Sequence, residues 1–291
     1  MNQPPKISIV IPVFNGQFFI EKCLQSIRQQ TIKDIEIIVV DNNSTDSSLA
    51  ILKKIAQEDK RIKILQESKL GCGPARRKGF LNATGEIIAT IDIDCLVPCN
   101  WLYKITKLLI EGGEQATMGG AYDTTNGFWS KKIAELENRI LLSSTSNGYI
   151  NYLDTKNCAF KKDAITKVNQ KNLTPIASDL ETFCRLNENG VKIKYCPEAS
   201  VGHHNPHNLK TFAQKQYHRS FWTEQIYKRY QGQVMSSPQF SGRSFIKIIL
   251  WPLWLLKEIL KQPPADGWLF VVSELSWKAG WFVSLWIKKE W

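Results

Sequence analysis

The chain has little of what marks several protein classes. Among 291 residues there are four histidines and three methionines. No tract of glycine and serine, of glutamine or of proline argues for disorder. No internal repeat is present, which excludes a solenoid or a propeller. The opening stretch MNQPPKISIVIPVF has no basic region before its apolar run, and that run is short and β-branched. It reads as a strand and not as a secretory signal, so the expectation is a cytoplasmic protein. The seven cysteines (Cys23, Cys72, Cys95, Cys99, Cys158, Cys184, Cys196) are odd in number and never form CxxC. That argues against a disulfide framework or a zinc site and for reduced, packed thiols. Helix-turn-helix, RRM and zinc-finger patterns are also missing, and nucleic acid is not expected as a partner.

What is present suits a globular enzyme. Hydrophobic residues at 43% and charged residues at 22% allow a real core, and the length predicts one α/β domain with a smaller C-terminal appendage. A net charge of +11 implies an anionic partner, and by charge alone nucleic acid, lipid headgroups and a phosphorylated small substrate all qualify.

Apolar β-branched runs at 7–13, 35–40, 62–65 and 86–91 alternate with helical spacing at 19–27, 49–55 and 74–82. This βα alternation predicts a mostly parallel, Rossmann-like sheet covered on both faces. Further helices are expected at 101–111, 131–142, 179–189 and 210–230, a strand-like stretch past Asn157, and a further strand at 192–196. Gly112-Gly113 and Gly119-Gly120 read as punctuation between elements. SSPQFSGR at 236–243 reads as a linker. The domains are therefore expected as 1–235 for the α/β unit and 236–291 for a tryptophan-rich helical segment.

In open α/β sheets ligands bind beyond the carboxyl ends of the strands, where this sequence places polar residues. Phe14-Asn15 follow the first strand, Asp41-Asn42 end the second, and Asp92-Ile93-Asp94 follow the fourth. Carboxylates two apart suit a hard cation such as Mg²⁺ or Mn²⁺, although aspartate also serves there simply as a turn residue. Gly71-Cys72-Gly73-Pro74-Ala75-Arg76-Arg77-Lys78 puts three cations in the first turns of a helix, against the dipole. A diphosphate cradle would explain them, and so would side chains reaching water. Asp179, in Ser178-Asp179-Leu180-Glu181, is either a helix-opening acid or a general base. Three of the four histidines cluster in His203-His204-Asn205-Pro206-His207, a candidate ligand group.

Taken in order, these segments resemble the inverting family 2 glycosyltransferases of GT-A fold. ISIVIPVFNGQFFIEKCLQSIRQQT with IEIIVVDNNSTDSS resembles that family's opening. GPARRKGFLNATGEIIATIDIDC resembles its arginine-bearing helix and DXD segment, and NCAFKKDAI, ASDLETFCRL and YCPEASVGHHN resemble its acceptor-side motifs. The likeness covers about residues 6–230. It implies that Pro12, Val13, Asn15 and Asp41 bind the nucleoside of a nucleotide sugar, and that Arg76 and Asp92 bind its ribose or diphosphate. It also implies that Asp94 and His203 hold a Mg or Mn ion and that Asp179 is the catalytic base for a glycan or glycolipid acceptor. One departure is Ser178, where relatives carry an acid beside the base. Rival readings are a nucleotidyltransferase, which lacks an equivalent of ASDLETFCRL, and a non-catalytic nucleotide-sugar-binding protein.

The C-terminal segment carries tryptophans at 251, 254, 268, 277, 281, 286 and 291, with Lys288 and Lys289 close by. The stretch 245–256 is too short to span a bilayer, and Glu274 and Lys278 interrupt 268–287. The pattern suits a helix lying at the inner face of a membrane, or helices packed on the catalytic unit.

Overall fold

The computed structural model describes residues 7–169, 173–206, 208–230 and 264–286. The expected linker at 236–243, the apolar stretch 245–256, His207, the tryptophans at 251, 254 and 291, and Lys288 and Lys289 lie outside them.

The apolar runs fold as parallel strands because both of their faces are covered. Strands β1 (Ile7–Val13), β2 (Ile35–Asp41), β3 (Ile62–Gln66) and β4 (Ile87–Ile91) stand side by side in the order β3-β2-β1-β4. All three pairings are parallel. Side chains alternate between faces, so one sequence run feeds two cores. Ile7, Ile9 and Ile11, with Ile37 and Val39, pack against helices α1 (Ile20–Arg28) and α2 (Ser48–Glu58). Val10, Ile38 and Val40 pack on the opposite face against α3 (Cys72–Asn82).

Beyond β4 the sheet becomes mixed. After the short β5 (Cys95–Leu96) and α4 (Trp101–Ile110) comes β6 (Ala116–Asp123), then α5 (Phe128–Ser143), short β7 (Thr145–Ser146) and β8 (Tyr149–Ile150). Next are β9 (Asn157–Lys161), α6 (Lys162–Val168), α7 (Ser178–Glu188) and β10 (Ile193–His203). Strand β9 sits between β4 and β6, antiparallel to both, and β10 lies parallel to β6.

Two sequence expectations change here. Gly119 and Gly120 do not punctuate the chain but lie inside β6. A Cβ on Gly119 would stand 2.2 Å from the Ala199 carbonyl oxygen, so glycine is what lets β10 approach. Likewise β10 does not stop at Cys196: its register shifts between Cys196 and Val201 and it resumes to His203.

The described residues divide into two compact units. One takes in the chain up to Thr124 together with Glu137–His204, and the other takes in Thr125–Leu136 and the residues from Asn205 onward. The sequence boundary at 235/236 falls among residues outside the description, and α8 (Leu209–Tyr230) groups with α9 (Pro264–Trp286) in the second unit. Ile133, Phe212 and Leu269 form the core of that unit. Partners advance together along both helices, Ser220 with the Trp277 carbonyl and Gln225 with that of Ser284, so α8 and α9 run parallel.

Candidate active site

The parallel register brings the ends of β1, β2 and β4 to one rim. Val13 pairs with Asp41, and the Asn42 amide donates to the Val13 carbonyl at 2.7 Å. Asn42 then ties the β3–α3 loop to this rim: its Nδ2 donates to the Glu67 and Lys69 carbonyls, and its Oδ1 accepts from the Gly71 amide. Asn15 adopts φ 49°, and its Oδ1 accepts from the Thr45 amide at 2.8 Å. Its side chain therefore joins the loops after β1 and β2. Pro12 is half-buried and Val13 buried at the same edge. Asp41 is 1% exposed, yet among the described residues its Oδ1 has no hydrogen-bond partner. An orphaned buried carboxylate oxygen costs free energy unless a donor arrives.

Three of the sequence-nominated residues meet at Arg76, on the first turns of α3. The residue is only 4% exposed. Nη2 donates to Asp92 Oδ1 at 2.6 Å, and Nη1 donates to Asp179 Oδ1 at 3.2 Å. Burial alone would lower the arginine's pKa, but Asp92 and Asp179 outweigh it and hold the group well above its ordinary value. The other two cations of the segment turn elsewhere: Arg77 donates to the Asn169 carbonyl and Lys78 to the Gln66 carbonyl. The glycines ahead of them do not form an open cradle either. A Cβ on Gly73 would stand 2.0 Å from the Thr174 carbonyl oxygen, so the space is filled by the chain's own loop before α7.

Asp179 lies on the first turn of α7 with its side chain 29% exposed. Desolvation pushes its carboxyl above the usual carboxylate range; Asp154 and Asp92 add to the rise, while Arg76 and a hydrogen bond from Thr155 oppose it. Thr155 is a residue that sequence reasoning did not single out. It is 1% exposed, and its hydroxyl donates to Asp179 Oδ1. The only hint is a polar Asp154-Thr155-Lys156 run directly ahead of a buried strand. Glu181, two residues on, is fully buried: it accepts from the Thr174 amide at 2.7 Å and from Arg185 Nη2 at 2.6 Å. That carboxylate is bound to its own loop and helix.

Asp94 and His203 also come together. Asp94 Oδ2 stands 3.5 Å from His203 Nε2, and the Asp94 carbonyl accepts from the His204 amide at 3.0 Å. The His204 ring packs on Phe19 instead, with centroids 5.0 Å apart. With Cys95, the donor atoms of Asp94 and His203 lie within 4.8 Å of one another. Burial, then Asp94 and Asp92, push the Cys95 thiol well above its ordinary value. The oxygen and nitrogen donors of Asp94 and His203, with Asp94 part-exposed, fit a hard cation that completes its shell from a ligand. Ile93, between the two aspartates, turns into the core.

Residues 8–168, more than half of the chain, match the model of Glycosyl transferase family 2. The chain belongs to that family. It is 33% identical over 117 residues to Glycosyltransferase GlyA of Streptococcus pneumoniae, a match that spans 40% of this chain and 17% of that protein. It is 38% identical over 92 residues to the GalNAc(5)-diNAcBac-PP-undecaprenol beta-1,3-glucosyltransferase of Campylobacter jejuni, covering 31% of this chain and 30% of that one. The chain thus spans well under two thirds of the length of these curated relatives. Its structure is similar to that of the mannosyltransferase PcManGT from Pyrobaculum calidifontis, solved in complex with GDP-Man and Mn²⁺. The TM-score is 0.70 at 16% identity, over 99% of this chain and 89% of that one. The mixed, mostly parallel sheet flanked by helices is the GT-A fold of this family.

Proposed function

We propose that the protein is an inverting, metal-dependent glycosyltransferase. It moves a sugar from a nucleoside diphosphate to a hydroxyl of a glycan or glycolipid acceptor during cell-envelope polysaccharide synthesis. The observation that carries this reading is the Arg76 guanidinium, which joins Asp92 at 2.6 Å to Asp179 at 3.2 Å. One buried cation thereby links the expected donor side of the rim to the expected acceptor side.

In this reading Asp41, with its orphaned oxygen, receives a donor from the nucleoside base beside Pro12, Val13 and Asn15. Asp92 and Arg76 border the ribose and diphosphate. Asp94 and His203 would hold a Mg or Mn ion, which when bound would offset charge on the departing diphosphate. Asp179 takes the proton of the acceptor hydroxyl as its oxygen joins the anomeric carbon. A raised carboxyl pKa makes it a better base than an exposed aspartate. Direct displacement with one base inverts the anomeric centre. The Campylobacter relative's name describes an undecaprenol-linked acceptor, and the PcManGT complex holds a nucleotide sugar with Mn²⁺; both support this class of donor and acceptor. The reading extends to a position at the inner face of the cell membrane. No helix among the described residues is long and apolar enough to cross a bilayer.

A thermal-shift panel of UDP- and GDP-sugars, with and without Mn²⁺, tests the proposal. A stabilising nucleotide sugar is expected whose effect needs the metal, and Asp94→Ala should abolish that metal-dependent part. Stabilisation that is indifferent to Mn²⁺ and to Asp94→Ala would remove the metal from the reading. No response to any nucleotide sugar would remove the donor class.

A further inference from the structure

The two oxygens of Asp179 are not equivalent. Among the described residues, Oδ1 accepts both hydrogen bonds, from Arg76 Nη1 and from the Thr155 hydroxyl, and Oδ2 accepts none. The side chain as a whole is 29% exposed. Turning the carboxylate would break both bonds at once.

Arg76 serves Asp92 as well as Asp179, whereas among the described residues the Thr155 hydroxyl bonds to Asp179 alone. Thr155 is also held firmly. On one side Asp154 pairs with Lys156 at 2.8 Å, and Lys156 reaches Glu137 at 3.2 Å. On the other, Asn157 opens β9, accepting from Trp101 Nε1 and donating to the Gly120 and Ala199 carbonyls. A donor fixed in this way can set the orientation of its acceptor.

We infer that Thr155 is the positioning residue of the catalytic base, anchoring Asp179 through Oδ1 so that Oδ2 is the oxygen that receives the acceptor proton. The step balances: the O–H proton goes to Oδ2, the acceptor oxygen bonds the anomeric carbon, and the electron pair of the broken C–O bond leaves with the nucleoside diphosphate. The inference rests on Asp179 being the base.

The ionisable groups facing Asp179 are Arg76 from α3, Asp92 after β4, Asp154 ahead of β9, the half-buried thiol of Cys72 and the buried thiol of Cys158. Thr155→Val removes only the hydroxyl from among these contacts, and Thr155→Ser keeps it. Turnover is read as nucleoside diphosphate released from UDP-glucose or GDP-mannose in Mn²⁺. With Thr155→Val it should fall about 10-fold, the size expected for losing a hydrogen bond to a charged group, with donor affinity unchanged. Because that bond favours the charged carboxylate, its loss should also move the acid limb of turnover to higher pH; Thr155→Ser should restore both. The same shift should appear without any substrate in the ¹³C titration of the Asp179 carboxyl. An unmoved titration in Thr155→Val overturns the inference, as does a loss of turnover that serine does not restore. Asp179→Asn separates the two levels. If it remains active, the base reading itself fails; if it is inactive while Thr155→Val is normal, only the role of Thr155 fails.

Discussion

Asp179 and Glu181 share the first turn of α7, and either is an acid that a helix N-terminus welcomes. Their surroundings separate them. Glu181 is enclosed and paired with Arg185, while Asp179 keeps one oxygen unbonded among the described residues and is pushed above the usual carboxylate range. Asp179→Asn is expected to lower transfer by at least about 100-fold, since general-base catalysis is typically worth ~10²–10⁴. Its stability should not suffer. A carboxyl whose folded pKa is raised contributes stability only at acid pH and loses it as pH rises, so at neutral pH the neutral asparagine removes a strained charge. Glu181→Gln should show the reverse pattern, costing about 3 kcal/mol by leaving Arg185 buried without its charge partner, while turnover per folded molecule persists. Melting curves and turnover on both variants check this. A stable, inactive Glu181→Gln beside an active Asp179→Asn would exchange their roles.

At the scale of elements, Glu36 on β2 shows how the strands are tied at the end of the sheet away from the site. Its carboxylate accepts from Ser8 on β1 at 2.5 Å, from the Thr84 amide at 2.5 Å, and from Lys63 on β3 at 2.7 Å. Burial works against its charge, but Lys63, Ser8 and Thr84 outweigh it and bring the pKa down to about 2. A depressed carboxyl contributes stability above its unfolded value that is lost as pH falls through the folded one. Glu36→Gln should therefore cost about 1.5–3 kcal/mol near neutrality, a gap to wild type that closes between about pH 4.5 and pH 2 in denaturant titrations. A gap constant across that range would deny Glu36 its charged role. Strands β1, β2 and β4 were legible because burial on both faces writes an unbroken apolar run. Strand β6 was not, because ATMGGAYD spends two positions on glycine for the close approach of β10, a demand set by a strand far along the chain. The rim aspartates were legible as types at strand ends. Thr155 was not, since a threonine's role depends on which carboxylate the fold sets beside it.

For the whole molecule, the charge of +11 asks for an anionic partner larger than one diphosphate, and α9 offers a surface to go with it. Trp268, Leu275 and Phe282 stand seven residues apart and are 64%, 51% and 57% exposed, which draws an apolar line along one face of the helix. Glu274 of α9 is buried, and Trp281 Nε1 donates to Glu224 of α8 at 3.2 Å. Trp281 thus packs on α8, while Trp268 faces outward. An exposed line of large apolar side chains on a basic protein suits the boundary of an anionic bilayer, where rings and alkyl groups sit below the headgroups. We therefore predict that the protein floats with phosphatidylglycerol vesicles and much less with phosphatidylcholine vesicles, and that raising the salt weakens the attachment. If each of the three side chains contributes about 1 kcal/mol on burial, replacing all three by serine should weaken vesicle partitioning by about 100-fold without lowering the melting temperature. Wild-type protein that stays in the aqueous fraction with both vesicle types would sink the idea. Equal partitioning of the triple variant would move the contact to another part of the chain.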